Sequence, residues 1–179
     1  MASLLDSAAV TRFDNAVDGC FDHLRGHPLV DRVFYAASEA GNFSLLWHGC
    51  SLALAAFGGS RGRRHARRLS LTLAVESVLV NGLLKSLTRR ERPDQRAEHP
   101  HNVRTPRTSS FPSGHASAGA CAAVLLSDAT GHRRGWWAAA SVVAASRVYV
   151  GQHHASDLVA GAAVGAAIGA VARRASPLA

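Results

Sequence analysis

An all-α fold, an integral membrane helix bundle, is what this sequence predicts, and three observations predict it. Five segments, roughly 43–58, 69–87, 115–129, 135–150 and 157–172, are rich in Ala, Leu, Val and Gly, and each is bounded by charge or glycine. Few polar side chains interrupt them: His48 in the first, Glu76 and Asn81 in the second. Arginine gathers in the compact stretches between them. The 179 residues suit one domain, and a 47% hydrophobic content argues against disorder. Mean hydropathy is nevertheless only +0.04. The 20 basic residues offset the apolar segments, and Lys85 is the single lysine among them.

Taken in order, residues 1–42 come first and are net acidic, with Asp6, Asp14, Asp18, Asp22, Asp31 and Glu39 against three arginines. Val10, Phe13, Val17, Phe21 and Leu24 recur every three or four residues, which predicts one face of an amphipathic helix. His27-Pro28 interrupts it, and Leu29, Val33, Ala36 and Ala40 predict a second short helix before Gly41. No basic stretch leads into an apolar core here, so a cleaved signal peptide is not expected. The pair reads either as a helical hairpin packed on the domain or as two helices lying at a membrane interface. Residues 43–174 then form the transmembrane domain, and 175–179 a tail.

Several of the five apolar segments fall short of the ~20 residues that a membrane span needs, and singly each would pass for a buried helix of a soluble bundle. Together they predict about five transmembrane helices whose polar residues face inward. In the last, Gly161, Gly165 and Gly169 stand four apart, a small-residue stripe that lets helices approach closely, within the chain or between copies of it in a homo-oligomer.

Charge supplies an orientation. The stretch 60–68, read as a loop, holds five arginines and no acid. Arg133-Arg134 and Arg173-Arg174 fall on the same face of a five-span bundle, which the positive-inside rule makes cytoplasmic. The opposite face holds residues 1–42, the loop 88–114 and the turn 151–156. Loop 88–114 carries six arginines against three acids and breaks the simple rule. Arg89, Arg90, Arg96, Arg104 and Arg107 read as a solvated face or as an attractor for an anionic group at the site's mouth.

A formal charge of +8 raises the question of nucleic acid. The arginines sit in compact loops and are not interleaved with aromatics, so nucleic-acid binding is not expected. Cys20, Cys50 and Cys121 lie far apart with no CxxC pair, which supports neither a disulfide framework nor a zinc knuckle. His23, His27, His65, His99, His101 and His132 read as solvated loop or cap residues.

Everything reactive converges on the opposite, outer face. Lys85 ends the second segment and Arg92-Pro93 follows. Pro112-Ser113-Gly114-His115 opens the third segment, Ser146-Arg147 closes the fourth, and His153 and Asp157 straddle the start of the fifth. Lys85, Arg92 and Arg147 offer positive charge, and two guanidiniums can fork onto oxygen pairs. Ser113 and Gly114 stand at a helix N-terminus, where backbone N–H groups and the dipole favour an anion. The set reads as a site for phosphate or another tetrahedral oxyanion. His153 and Asp157 are four apart and share a helical face, so the carboxylate can hold the Nδ1 proton and leave Nε2 as a nucleophile. His115 arrives from another segment as a general acid.

Lys85-x6-Arg92-Pro93, Pro112-Ser113-Gly114-His115 and Ser146-Arg147-x5-His153-x3-Asp157 resemble, in order and spacing, the three signatures of the type 2 phosphatidic acid phosphatase superfamily. The resemblance spans residues 85–157. It implies that His153 attacks phosphorus to form a phosphohistidine, that Asp157 holds its tautomer, and that His115 protonates the leaving group and then activates water. It implies phosphoryl binding by Lys85, Arg92, Ser113, Gly114 and Arg147, with no metal and no cofactor. Spacing from Arg147 and from Asp157 selects His153 over His154, which reads as a rim residue.

Amphipathic helices followed by five spans are also similar to the small bacterial members that act on polyprenyl pyrophosphates. That similarity implies a multi-pass protein of the bacterial cytoplasmic membrane with its site on the extracytoplasmic face and a membrane lipid phosphate as substrate. Polyprenyl pyrophosphate is the first choice. A polyprenyl-phosphoryl sugar phosphate, phosphatidylglycerol phosphate and phosphatidic acid are the alternatives. A vanadium-dependent haloperoxidase, a soluble acid phosphatase and a non-enzymatic lipid-binding protein are the readings weighed against it.

Overall fold

The computed structural model describes Leu5 and residues 7–93 and 108–177, and every regular element among them is helical. Asp6, Arg96, His99, His101, Arg104, Arg107 and the last two residues of the 175–179 tail lie outside the described residues.

Helix α1, Ala8–Asp22, starts where the Ser7 hydroxyl accepts the Val10 N–H at 3.4 Å. Helix α2, Pro28–Gly41, opens on a proline whose fixed φ suits the first turn. One 3-10 turn, Asn42–Ser44, makes a corner in which Phe43 (φ 51°) and Ser44 (φ 57°) are both left-handed. Helix α3, Leu45–Phe57, follows. Helix α4 begins as Gly59–Ser77, passes through a π-helical stretch, Val78–Leu84, and closes with Lys85–Leu87. Helices α5, Gly114–Thr130, α6, Arg133–Tyr149, and α7, Ala155–Ala175, complete the chain.

The expected loop 60–68 is instead the first two turns of α4. Arginine is among the better helix formers, and hydropathy alone hid that. The turn is confined to Gly58 and Gly59, and Gly59 takes the φ of +59° that reverses the chain. His65, expected in solvent, is accordingly buried on α4, where its Nδ1 lies 3.2 Å from Arg68 Nη2.

Helix α5 is the centre of the bundle, with α4, α6 and α7 packed around it. Its residues 116–123 are all buried, and apart from Cys121 they are Ala, Ser or Gly. Against them lies the glycine stripe of α7. A Cβ at Gly161, Gly165 or Gly169 would press on the carbonyl oxygens of Ser113, Ser117 and Cys121 respectively. The stripe thus packs inside the chain, the first of the two roles the sequence left open for it.

Around an apolar core that includes Trp47, Leu69, Leu73, Leu125 and Leu126, polarity is partly inverted. Ser51, Thr72, Glu76, Ser117, Arg147 and Asp157 are buried, while Leu52, Leu71, Val75, Val78, Val159 and Val171 are exposed. The same holds for the first two helices: Asp14, Tyr35 and Ser38 face inward, and Phe13, Leu29 and Val33 face out. A water-soluble bundle would reverse that pattern. Gly59–Leu87 and Ala155–Ala175 are each long and apolar enough to cross a membrane. Helix α3, with 13 residues, and α5 and α6, with 17 each, are shorter than the ~20 that a bilayer needs.

Because α4 to α7 alternate in direction, the end of α4, the start of α5, the end of α6 and the start of α7 share one end of the bundle. At the other end Arg68 pairs with Asp128 and donates to the Ser176 carbonyl at 2.9 Å. Arg61, Arg63, Arg64, Arg67, Arg133, Arg134, Arg173 and Arg174 are exposed around it.

Candidate active site

A cavity of about 220 Å³ opens at the first of these ends, and Lys85, Arg92, Gly114, His115, Arg147 and His153 all line it. Asn81, Thr108 and the corner Gly41–Ser44 complete its wall. Ser113 and Asp157 stand directly behind, with no exposed surface. Eight residues singled out across 73 positions of sequence therefore meet at one place.

Each is held by the local fold. Ser113 caps α5, its hydroxyl accepting the Ala116 N–H at 3.4 Å, and its own N–H donates to the Asp157 carbonyl at 3.0 Å. This ties the start of α5 to the start of α7. Beyond the cap, Gly114 and His115 of the first turn of α5 line the cavity, so it lies at a helix N-terminus, an arrangement suited to an anion. A Cβ at Gly114 would stand 2.6 Å from Asn81 Oδ1, so a larger residue there would have to displace the Asn81 side chain from the cavity wall.

The turn after α6 is built on Arg147, whose carbonyl accepts the N–H of Gln152 at 2.9 Å and of His153 at 3.1 Å. Its guanidinium is buried and donates to the Ser38 hydroxyl on α2. Arg92 donates to the Gln152 carbonyl at 2.7 Å and lies 3.4 Å from His153 Nε2. Two guanidiniums are thereby set at fixed places around the cavity, one by a helix, one by a turn. Burial lowers the pKa of Arg92, with Asp157 opposing.

His153 presents Nε2 to the cavity side and Nδ1 to Asp157, whose Oδ2 is 3.5 Å away. Burial pushes the pKa of His153 down to about 4, with Asp157 pulling the other way and Arg92 and Arg147 adding to the fall. The imidazole is therefore neutral across the ordinary pH range, the state a nucleophile needs. His154 Nδ1 is also 3.5 Å from Asp157 Oδ2, but His154 caps α7, is partly exposed and lies off the cavity. His115 enters from the far wall, with Nε2 3.3 Å from the Ser38 carbonyl.

Two participants were missed. Arg90, read as solvated or as an attractor at the mouth, has a side chain only 9% exposed and donates to Asp157 Oδ1 at 2.6 Å. Its other nitrogen donates to Asp14 Oδ2 at 2.7 Å. Asp14, read as one acid of an amphipathic helix, is buried and also accepts from Ser156 N and Oγ at 2.7 and 2.8 Å. Burial alone would lower the pKa of Arg90, yet Asp157 and Asp14 hold it above its ordinary value. No local pattern marks a pairing between residues 76 positions apart. Among the described residues no group of three or more His, Cys, Asp or Glu is placed to hold a metal ion.

The sequence model of the PAP2 superfamily matches residues 66–178. A decaprenylphosphoryl-5-phosphoribose phosphatase of Mycobacterium tuberculosis is 34% identical over 149 residues, covering 80% of this chain and 81% of that protein. Among solved structures, the transmembrane PAP2 type phosphatidylglycerolphosphate phosphatase of Bacillus subtilis superposes with a TM-score of 0.72 at 22% identity, covering 96% of this chain and 88% of that one. Aquifex aeolicus LpxE gives 0.72 at 24% identity, with 94% and 97% covered.

Proposed function

Given that the chain belongs to the PAP2 superfamily, we propose that it is a membrane lipid phosphatase that works through a phosphohistidine on His153. The observation that carries the reading is the meeting of a buried imidazole, its carboxylate partner, three cations and a second histidine on one cavity. In the proposed reaction the phosphate oxygens lie against Lys85, Arg92, Arg147 and the first turn of α5, beside Ser113 and Gly114. Nε2 of His153 attacks phosphorus as the ester P–O bond breaks, and Asp157 carries the charge that forms on the ring. His115 gives its proton to the departing alkoxide. It then takes one from water, which attacks the phosphohistidine and releases inorganic phosphate and free His153. No metal enters this scheme.

The substrate we infer is a phosphomonoester on a polyprenyl-phosphoryl sugar, because the relative that matches four-fifths of the chain is named for a lipid of that kind. Polyprenyl pyrophosphate, the first choice on sequence, becomes the second reading, ahead of phosphatidylglycerol phosphate and phosphatidic acid. The exposed apolar side chains of α3, α4, α6 and α7, with α5 enclosed among them, support five membrane-spanning helices, with α1 and α2 lying in the interface. The arginines at the far end support a cytoplasmic side there, and so an extracytoplasmic site in the bacterial inner membrane. On this reading residues 1–42 are the interfacial unit, 43–174 the catalytic bundle and 175–179 a tail.

The test is phosphate release by detergent-purified protein from a panel of these lipids, in EDTA, beside His153→Ala. Release that persists in EDTA and is lost in the variant supports the scheme, and the preferred lipid identifies the pathway. Full activity in His153→Ala would overturn it.

A further inference from the structure

Arg90 and Asp14 have no place in that scheme, yet they are among the most constrained charges in the molecule. We propose that Arg90, anchored by Asp14, is a positioning residue for the nucleophilic histidine, so that helix α1 is part of the frame of the active site. The inference rests on the phosphohistidine reading and adds to it a component outside the matched family region, since Asp14 precedes residue 66.

Asp157 is divided between two tasks. Its Oδ1 accepts from Arg90 at 2.6 Å. Its Oδ2 accepts the His154 backbone N–H at 2.9 Å and faces His153 Nδ1. With Oδ1 pinned by a charge-assisted bond, the carboxylate cannot rotate, and one oxygen is presented to the imidazole. Arg90 is pinned in turn: besides Asp14 and Asp157, it donates to the Ser156 hydroxyl at 2.7 Å. Asp14 accepts from that same hydroxyl and from the Ser156 N–H, so it grips both Arg90 and the first turn of α7. All three charged groups are nearly buried, where a mutual geometry is stiff and a missing partner is costly. Arg90 stands behind Asp157 and does not line the cavity, so it acts through the carboxylate and not on the phosphate.

A second consequence concerns protons. His153 feels Asp157 from the start of α7, Arg92 from the segment after α4, Arg147 from α6, and His115 from α5, while His154 faces Asp157. Asp157 favours the charged imidazole and the arginines oppose it. Arg90 neutralises much of Asp157, which keeps the histidine in its neutral, attacking form. Without Arg90 the full carboxylate charge falls on His153, and protonation becomes easier.

The experiment compares wild type, Arg90→Gln, Arg90→Lys, Asp14→Asn and His153→Ala, purified in detergent, by kcat, KM and the pH profile of kcat/KM on the preferred lipid phosphate. For Arg90→Gln we expect kcat to fall about tenfold to a hundredfold, with KM held within about threefold and the acid limb displaced to higher pH by about one unit. Asp14→Asn, which keeps the cation, should lower kcat less and leave the acid limb in place. Arg90→Lys should recover part of kcat, since charge returns without the two-pronged bridge.

A wild-type kcat and an unmoved acid limb in Arg90→Gln would overturn the proposal. So would a loss carried wholly by KM, which would put Arg90 on the substrate. If Arg90→Gln does not survive purification, Arg90→Lys decides: reduced kcat at constant KM supports the role, and wild-type kcat ends it. An active His153→Ala sinks the underlying reading, whereas an inactive one beside an unaltered Arg90→Gln sinks only this inference.

Discussion

Nδ1 of His153 faces the carboxylate of Asp157 across 3.5 Å, and both side chains are shut away from solvent. The sign of the pH dependence follows from that burial. In the proposed reaction the attacking form is the neutral ring, so activity should be present above the folded pKa and lost as pH falls through it. Since that pKa lies at about 4, well under the ordinary 6.5, kcat/KM should stay level down to about pH 5 and halve near pH 4. Brief assays at each pH, followed by return to neutral buffer to confirm recovery, measure the limb. A limb near 6.5 would mean that the buried environment does not reach the nucleophile.

Arg147 cannot be replaced by lysine. Its guanidinium bonds the Ser38 hydroxyl while lining the cavity, and an ammonium, a point charge without the planar fork, cannot reproduce that two-sided geometry. For Arg147→Lys we expect kcat/KM to drop about tenfold to a hundredfold, the value of one charge-assisted hydrogen bond. Steady-state kinetics beside a thermal melt separates this from unfolding.

The glycine stripe predicts a contrast. Gly165→Ala forces a methyl onto the Ser117 carbonyl and should cost about 1–3 kcal/mol. Gly49→Ala, on α3 with no atom within 4 Å of the added carbon, should be neutral or stabilise by up to about 1 kcal/mol. Melting temperatures of the two variants in one detergent give the comparison.

At the far end, Arg68→Met strips the partner from Asp128 and from the Ser176 carbonyl. We expect a loss of about 2–3 kcal/mol, at the lower end for a broken ion pair because Asp128 is 30% exposed. The kcat of the protein that remains folded should be unchanged, since no part of the cavity is touched. A fall in kcat without a fall in stability would contradict the separation of the two ends.

Which parts of this molecule could be read in advance depends on the range of the interaction. His153 and Asp157 are four apart and Ser113 to His115 consecutive, so short sequence spacing links them, although His153 lies in the turn just before α7 and not on the helical face the spacing predicts. The convergence of Lys85, Arg92 and Arg147 follows from the alternation of apolar segments. Arg90 and Asp14 are different. Each is an ordinary charge among its neighbours, and only the docking of α1 against α7 makes them partners. Residues 60–68 misled for a related reason, because five arginines mark exposure but not whether the backbone is helical. The glycine stripe announced close packing, and its partner, the small-residue face of α5, became visible only once the two helices were set side by side.

That pairing has a mechanical meaning. Gly161, Gly165 and Gly169 mesh with Ser113, Ser117 and Cys121 like two racks cut to the same pitch. Four residues of helix advance about 6 Å, so α7 cannot creep along α5 by a fraction of that distance. In the proposed reaction the nucleophile sits just before one rack and the proton donor stands on the other. Their separation is therefore indexed and not adjustable, and a change of substrate must be accommodated elsewhere on the wall. The corner at Asn42–Ser44, with two left-handed residues and an outward phenylalanine, is one part of the cavity lining free of that gearing.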